Sequence, residues 1–540
     1  MKLTKLVLEN FRSFSERQEI DFAPVTLLLG PNSAGKTTIL IALFYLQQIL
    51  DREQCNPIYL EAMGNRRIDG FKSLVHHGDL EKVITIGIGF EPEQTIGVEY
   101  KTYLEDLSDL FDTNFIKMID IADETESVYV EFKIAWSQLQ KTAYIKNYSI
   151  CINNEFIGEL SNDEYNKSSL VQNLNFKHPL LLPLDHHLWL EAVDEDELDK
   201  FSSEFEISLK DLTPSLEHNK HSVTERIIFS DYVSDNVDQK LLPPIIVKTN
   251  IGSLPRLGRV FDTNLKIFDT SEQVGFFNRE IITRVLTQIF TSPLDKLNSY
   301  LKVSVAIGPL RVIPDSAFIP NPYPEQNGWF DGTSAWDKLY LSPQINNKLL
   351  DKVSDWFSNC EKLNTDYNIV RGVDLNIEVD NFPLVLKNNV FFCKKDSCQL
   401  LSPNQVGVGL TQIAPLIVAA NDNQDGLVAI EQPELHIHPA LQLAVGDLLT
   451  QYPQDEKRPM FLVETHSEHI ILRILKRIRQ TTDDELPDSN YPVKPEDISV
   501  IVFEDDTGST ITRKIDITDD GDFKQKWPKG FFEERREELF

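Results

Sequence analysis

Cysteine is scarce and scattered, with five among 540 residues. No even, tightly spaced framework exists, which excludes a disulfide-stapled scaffold and points to a reducing cytoplasm. Cys393 and Cys398 stand too far apart for a paired zinc knuckle and have no second pair, so they read as free thiols. No apolar run approaches the roughly 18 residues needed to span a bilayer. The N-terminus, MKLTKLVLENF, lacks the long apolar core of a secretion signal. Excess positive charge is lacking too: 53 Lys and Arg stand against 84 Asp and Glu, a net charge of −31. That field repels polyanions except where basic residues cluster. It argues against general coating of DNA and leaves room for a local basic patch or a basic partner protein. Internal repeats are absent, as are heptad runs long enough for a coiled-coil arm.

What is there is the composition of a folded protein, 41 % hydrophobic and 10 % aromatic, with enough chain for two to four domains. LTKLVLENF, RQEIDF and VTLLLG read as three strands; TTILIALFYLQQIL then carries apolar residues at helical spacing. Residues 83–100 and 127–136 read as further strands. From about 140 to 300 the pattern is less regular, with acidic EAVDEDELDK and a helix expected near 272–292. LVAI (427–430) and MFLV (460–463) are short, wholly apolar strands of the kind a parallel sheet covered on both faces requires. The fold class is α/β, with a large insertion between two sequence-distant halves.

GPNSAGKTT, residues 30–38, contains G-x-x-x-x-G-K-[ST] between a strand and a helix. Gly30 and Gly35 let backbone N–H groups converge on phosphate oxygens, with Pro31, Asn32, Ser33 and Ala34 forming the loop between them. Lys36 reaches the β/γ-phosphates, and Thr37, followed by Thr38, offers a hydroxyl to magnesium. ATP and Mg2+ are the implied cofactors.

LVAIEQPELHIHP supplies the second half of the site. Glu431 ends a strand where a carboxylate can hold magnesium through water. The bland reading of the turn is a polar cap on a helix beginning near His438–Pro439. His436 and His438 lack the further ligands of a metal site and read as packing residues. In LVETHSEHII, Thr465 and Glu468 fit a capping box, and His466 sits where a γ-phosphate sensor would. QVGVGLTQ brings Gly407, Gly409 and Thr411 to the head of an apolar helix, the chemistry of a helix N-terminal anion site.

These segments together resemble the ATP-binding-cassette (ABC) ATPases of the recombination-repair and overcoming-lysogenization-defect (OLD) group. LVLENFRSF, with Arg12, looks like their N-terminal strand and arginine turn; GPNSAGKTT like their phosphate loop; FKSLVHHGD like their Q-loop region. VGVGLTQ looks like their signature, IEQPELHIHP like Walker B and D-loop, and ETHS like the histidine switch. Two departures stand out: Gln405 replaces the usual Asp before the signature glycine, and Gln432 replaces the usual catalytic glutamate. IGPLR (307–311), EQPELH and the C-terminal GFFEERREELF narrow the likeness to compact, PtuA-like ATPases of Septu-type anti-phage systems, some encoded with retrons.

The resemblance implies an ABC-ATPase head, a mixed sheet plus a parallel core sheet with flanking helices, interrupted by a large α+β insertion. Residues 1–135 would form the N-terminal part of the head, 136–305 the insertion and 306–540 the C-terminal part. It implies a homo-oligomer through composite ATP sites, with Gly407, Gly409 and Thr411 acting in trans. It also implies a separate HNH-type nuclease partner (PtuB-like), and a retron reverse transcriptase or nucleic acid as a further one. Gln432 can orient water but not deprotonate it, so Glu434 is the carboxylate left as base and hydrolysis is expected to be slow. The alternative is a DNA-repair ATPase of the RecF/Rad50 type that binds DNA directly. A nuclease in cis is disfavoured, because FEDDTGSTITRKID (503–516) reads as a hairpin. RILKRIRQ, NRRIDGFK and VKTNIGSLPRLGR are the local basic candidates for DNA or partner contact.

Overall fold

Three five-residue runs, VTLLL, LVAIE and MFLVE, are buried at every position. They form the centre of a parallel sheet, as continuous apolar strands should. The structure is a computed structural model. It describes residues 1–100, 121–164, 168–175, 178, 180, 245–264, 283–315, 317–345, 347–371, 390–397, 399–422, 425–452, 457–487, 490–506 and 508–527. The chain divides into two compact units. One comprises Leu3–Arg52, Asn56–Asp79 and Tyr300–Phe540; the other Met1–Lys2, Glu53–Cys55 and Leu80–Ser299.

In the first unit, β1 (Lys2–Glu9) and β2 (Gln18–Asp21) pair antiparallel. β3 (Val25–Leu29) leads through the phosphate loop into α1 (Lys36–Arg52), which is buried almost all round, and a short helix α2 (Phe71–Leu74) follows. After the second unit come β4 (Val305–Ile307), α3 (Thr333–Ile345), α4 (Val408–Asp422), β5 (Leu427–Glu431), α5 (Pro439–Thr450), β6 (Met460–Glu464) and α6 (Glu468–Thr482). The hairpin β7 (Ile498–Asp506) and β8 (Ser509–Ile515) completes the set. The core sheet runs β4-β5-β6-β3-β7-β8, parallel except for the last pair. The carboxyl ends of β3, β5 and β6 therefore share one edge, where ligands bind in open α/β sheets.

The second unit is an antiparallel meander of Ile84–Glu91, Val128–Ser137, Thr142–Ile152, Glu155–Ser161, Ser168–Gln172 and Ile246–Lys248. This regularity differs from the irregular pattern expected after residue 140. Thr142–Ile152 and Glu155–Ser161 are joined by Asn153 and Asn154, both at positive φ (52° and 65°), the geometry of a two-residue hairpin turn. The main stretch of this unit is Leu80–Ser299, and within it Val128–Ser137 pairs with strands on both sides. The strand expected over 83–100 stops at Glu91, before Pro92. Helical residues run 283–290, within the range expected, and Ser292–Val303 beyond it; 265–282, the acidic 191–200, Cys398 and the C-terminal GFFEERREELF lie outside the described residues.

Candidate nucleotide site

The phosphate loop takes backbone conformations that side chains resist. Gly30 has φ 141° and Gly35 φ 97°; a Cβ on Gly35 would lie 2.5 Å from Ser13 Oγ, and one on Gly30 2.6 Å from the Phe503 carbonyl. Thr510 in β8 braces the loop, its hydroxyl donating to the Ala34 carbonyl (3.0 Å) and its N–H to the Ser13 carbonyl (2.9 Å). The 503–516 hairpin thus supports the loop with its inner end, and Glu504 faces Arg513 at 3.2 Å. We expect Gly35→Ala to weaken nucleotide binding through strain on the order of 1–3 kcal/mol. Unchanged affinity by calorimetry would contradict that tightness.

Lys36 is 3 % exposed, and its ammonium donates to the carbonyls of Gly30 (3.0 Å) and Pro31 (2.9 Å). Burial lowers its pKa, opposed by Glu464 and Glu434. The Thr37 hydroxyl donates to Glu464 Oε2 at 2.8 Å. Thr38 is buried, and its N–H donates to the Gly35 carbonyl (2.9 Å). Arg12 sits at φ 51°, its carbonyl 2.7 Å from His76 Nδ1. Its guanidinium, with pKa lowered by burial and then by Arg66, lines a cavity of about 640 Å³ that also holds Ser33, Lys36, Thr37, Arg66 and Glu464.

A second cavity, about 340 Å³, is lined by Pro31, Asn32, Gln432, Glu434, Leu435 and His466. Gln432 has φ 46°, and its N–H donates to the Glu464 carbonyl at 2.8 Å. Glu434 accepts from the Thr465 hydroxyl (2.7 Å) and the His466 N–H (2.8 Å), while burial raises its pKa. His466 Nε2 is buried without a hydrogen-bond partner. Its pKa is lowered by burial and by Lys36, so the ring is held neutral. An orphaned ring nitrogen across from the phosphate loop is what a γ-phosphate oxygen would satisfy.

Glu431 is 7 % exposed, ends β5, and accepts from Arg66 Nη1 at 2.7 Å. Its pKa is raised, burial outweighing the guanidinium. Among the described residues no three His, Cys, Asp or Glu side chains converge as a metal site. Magnesium at nucleotides needs only one or two carboxylates plus phosphate oxygens, so the Thr37 hydroxyl and Glu431 fit that donor set.

At the head of α4 Gly407 is exposed and Gly409 half-buried; a Cβ on Gly407 would meet nothing within 4 Å, while one on Gly409 would lie 3.1 Å from the His436 carbonyl. Thr411 is wholly buried, its hydroxyl donating to the Val408 carbonyl (2.8 Å) within its own helix. None of these three lines either cavity. Gln405 is tied back to Ser402 by a capping box.

Several local expectations need correcting. The N-cap of α6 is Ser467, which accepts from the Ile470 N–H at 3.2 Å, because Thr465 is engaged by Glu434. His438 caps α5 through the Ala440 N–H (3.2 Å), and both His436 and His438 are exposed, so neither packs in the core. In RILKRIRQ, Arg473 and Arg477 grip Asp447 and Arg479 bonds the Asp520 carbonyl; only Lys476 of that run is left without a described hydrogen bond or ion pair. In the other basic stretches, Arg66 faces Glu431 and Lys248 pairs with Asp262 at 2.7 Å.

Three side chains that stood inside quoted segments were given no role at this site from sequence: Glu464 in ETHS, Arg66 in NRRIDGFK and Arg311 in IGPLR. Arg311, 5 % exposed, donates to the carbonyls of Gly308 (3.1 Å), Gln412 (3.1 Å) and Gln432 (3.2 Å). Burial pushes its pKa down to about 10. A charged residue closing the apolar run MFLVE was the available signal for Glu464; the basic run NRRIDGFK and the IGPLR segment flagged the other two without pointing to their partners.

Residues 1–256 match the family model described as "AAA ATPase domain", and residues 306–473 the one described as "AAA domain, putative AbiEii toxin, Type IV TA system". Each half of the chain thus matches an AAA family model. A stretch of 82 residues is 40 % identical to the DNA replication and repair protein RecF of Roseiflexus castenholzii (strain DSM 13941 / HLO8), covering 14 % of this chain and 20 % of that protein. The match thus spans about a fifth of that relative's length. Similar solved structures include an SmcHead bound to the C-winged helix domain of ScpA (11 % identity, 96 % of this chain and 98 % of that chain, TM-score 0.39). The SMC head domain from Thermotoga maritima is another (9 % identity, 96 % and 100 % coverage, TM-score 0.35).

Proposed function

We propose that the chain is an ABC-type ATPase of the RecF/Rad50/SMC group that binds ATP, hydrolyses it slowly, and serves a bacterial anti-phage defence complex. In that complex ATP-dependent head pairing gates a separate HNH-type, PtuB-like nuclease. The observation that carries the slow step is the cavity facing Pro31 and Asn32, where Gln432 stands in place of a base and both oxygens of Glu434 already accept hydrogen bonds. Burial raises the basicity of Glu434, and its two donors limit it. Bound magnesium would supply charge neutralisation at the β- and γ-phosphates. The chain's own part would be to place Lys36 on the phosphates, hold the ion with Thr37 and one of the strand-end carboxylates Glu431 and Glu464, satisfy the γ-phosphate from His466, and orient water with Gln432.

Head pairing is supported by the exposed Gly407 at the head of α4, which lines neither cavity of its own chain and could meet a second copy's phosphates. ATP acts there through its differential affinity for the closed pair. No described helix is long and apolar enough to cross a membrane. The 306–473 match, whose description names a toxin of a Type IV TA system, favours a defence role; the RecF match favours the second reading, a repair ATPase on DNA. Phage plating on cells carrying the chain and its nuclease partner should rise toward the unprotected level when Lys36 is replaced. Unchanged protection would overturn the defence reading. ATP-dependent retention on bare duplex DNA by the chain alone would favour the repair reading.

Glu434→Gln should lower ATP turnover at least about tenfold, since general-base assistance contributes about 10²–10⁴. Turnover equal to the parent's would remove Glu434 from the mechanism.

A further inference from the structure

Two carboxylates close adjacent strands at the phosphate edge, in register with each other: Glu431 on β5 and Glu464 on β6. Their surroundings divide their roles. Glu431 Oε1 is held by Arg66 Nη1 at 2.7 Å, so its charge is largely met within the protein. Glu464, 7 % exposed, turns Oε2 to the Thr37 hydroxyl at 2.8 Å and stands 3.8 Å from the Lys36 ammonium. Lys36 is occupied by two loop carbonyls at 3.0 and 2.9 Å. A threonine hydroxyl has one proton and two lone pairs. Giving that proton to Glu464 leaves the lone pairs of Thr37 for a cation.

We propose that Glu464 is a working carboxylate of the magnesium site, fixing the Thr37 hydroxyl for the ion and holding its water, while Arg66 neutralises Glu431 beside it. This rests on the ATP-binding reading above and adds the residue that makes binding magnesium-dependent. Carboxylates that orient a metal's direct ligands act on metal affinity, commonly by about 10–100-fold. A rival arrangement, in which Glu464 merely blocks Thr37 and Lys36 until nucleotide displaces it, predicts the opposite sign.

The test is equilibrium binding of a fluorescent ATP analogue in EDTA and in Mg2+, for the parent chain, Glu464→Gln and Glu464→Asp. The parent should bind more tightly in Mg2+. Glu464→Gln should lose about tenfold or more of that gain while still binding in EDTA, which also shows that it is folded. Glu464→Asp, which keeps the charge, should recover part of the gain. Should Glu464→Gln not fold, loss of the Mg2+ gain in Glu464→Asp would support the assignment and full retention would overturn it. A full Mg2+ gain in Glu464→Gln, or tighter binding than the parent in both buffers, overturns it. No binding by the parent in either buffer would sink the ATP reading itself, and this assignment with it.

Discussion

Replacing Lys36 with alanine should reduce ATP affinity by about 10- to 150-fold, the worth of charge-assisted hydrogen bonds of about 1.5–3 kcal/mol. The ammonium is 3 % exposed and 2.9–3.0 Å from two carbonyls of its own loop. On the proposed reading it would reach the phosphates by a short move from the two carbonyls that now hold it. Alanine removes the only loop cation and leaves Glu464 with the Thr37 hydroxyl as its close partner. Calorimetric titration with ATP and Mg2+ checks it; affinity within twofold of the parent would place the nucleotide elsewhere.

Arg311→Met should be the most damaging substitution to stability, by about 2–5 kcal/mol, because each buried carbonyl that loses its donor costs about 1–3 kcal/mol. The guanidinium joins Gly308, α4 through Gln412, and the turn after β5 through Gln432. The Arg311 backbone also brackets the Gln412 side chain, its N–H donating to Oε1 (3.2 Å) and its carbonyl accepting from Nε2 (2.7 Å). One residue thus ties the signature helix to the turn that carries Gln432. Arg311→Lys should rescue little, since an ammonium cannot reproduce three spread donors. Urea denaturation checks both variants; parent-like midpoints would mean that the carbonyls find other donors.

The core and the phosphate loop were legible because their signals are local. VTLLL, LVAIE and MFLVE could only be buried strands, and a Gly-x-x-x-x-Gly-Lys-Thr run between strand and helix leaves little choice of conformation. Signals weighed one at a time did less well. The alternation in YIKNYSICI runs directly into the Asn153–Asn154 turn, so this hairpin had a local signal, one that the acidic and aromatic stretches around it outweighed. Thr465 and Ser467 are equally competent caps, and a contact with Glu434, 31 residues away in sequence, decides between them. Arg66 and Glu431, separated by 365 residues, could not be paired from sequence at all. The same holds for Arg311, whose partners Gln412 and Gln432 lie 101 and 121 residues downstream.

Light scattering on the purified chain with Mg2+ and either ATP or ADP tests the proposed head pairing most directly, since a slowly hydrolysed ATP would act as a clamp between copies. A larger molar mass in ATP than in ADP, lost in Lys36→Ala, is the predicted result. Equal masses in the two nucleotides, with ATP demonstrably bound, would contradict it.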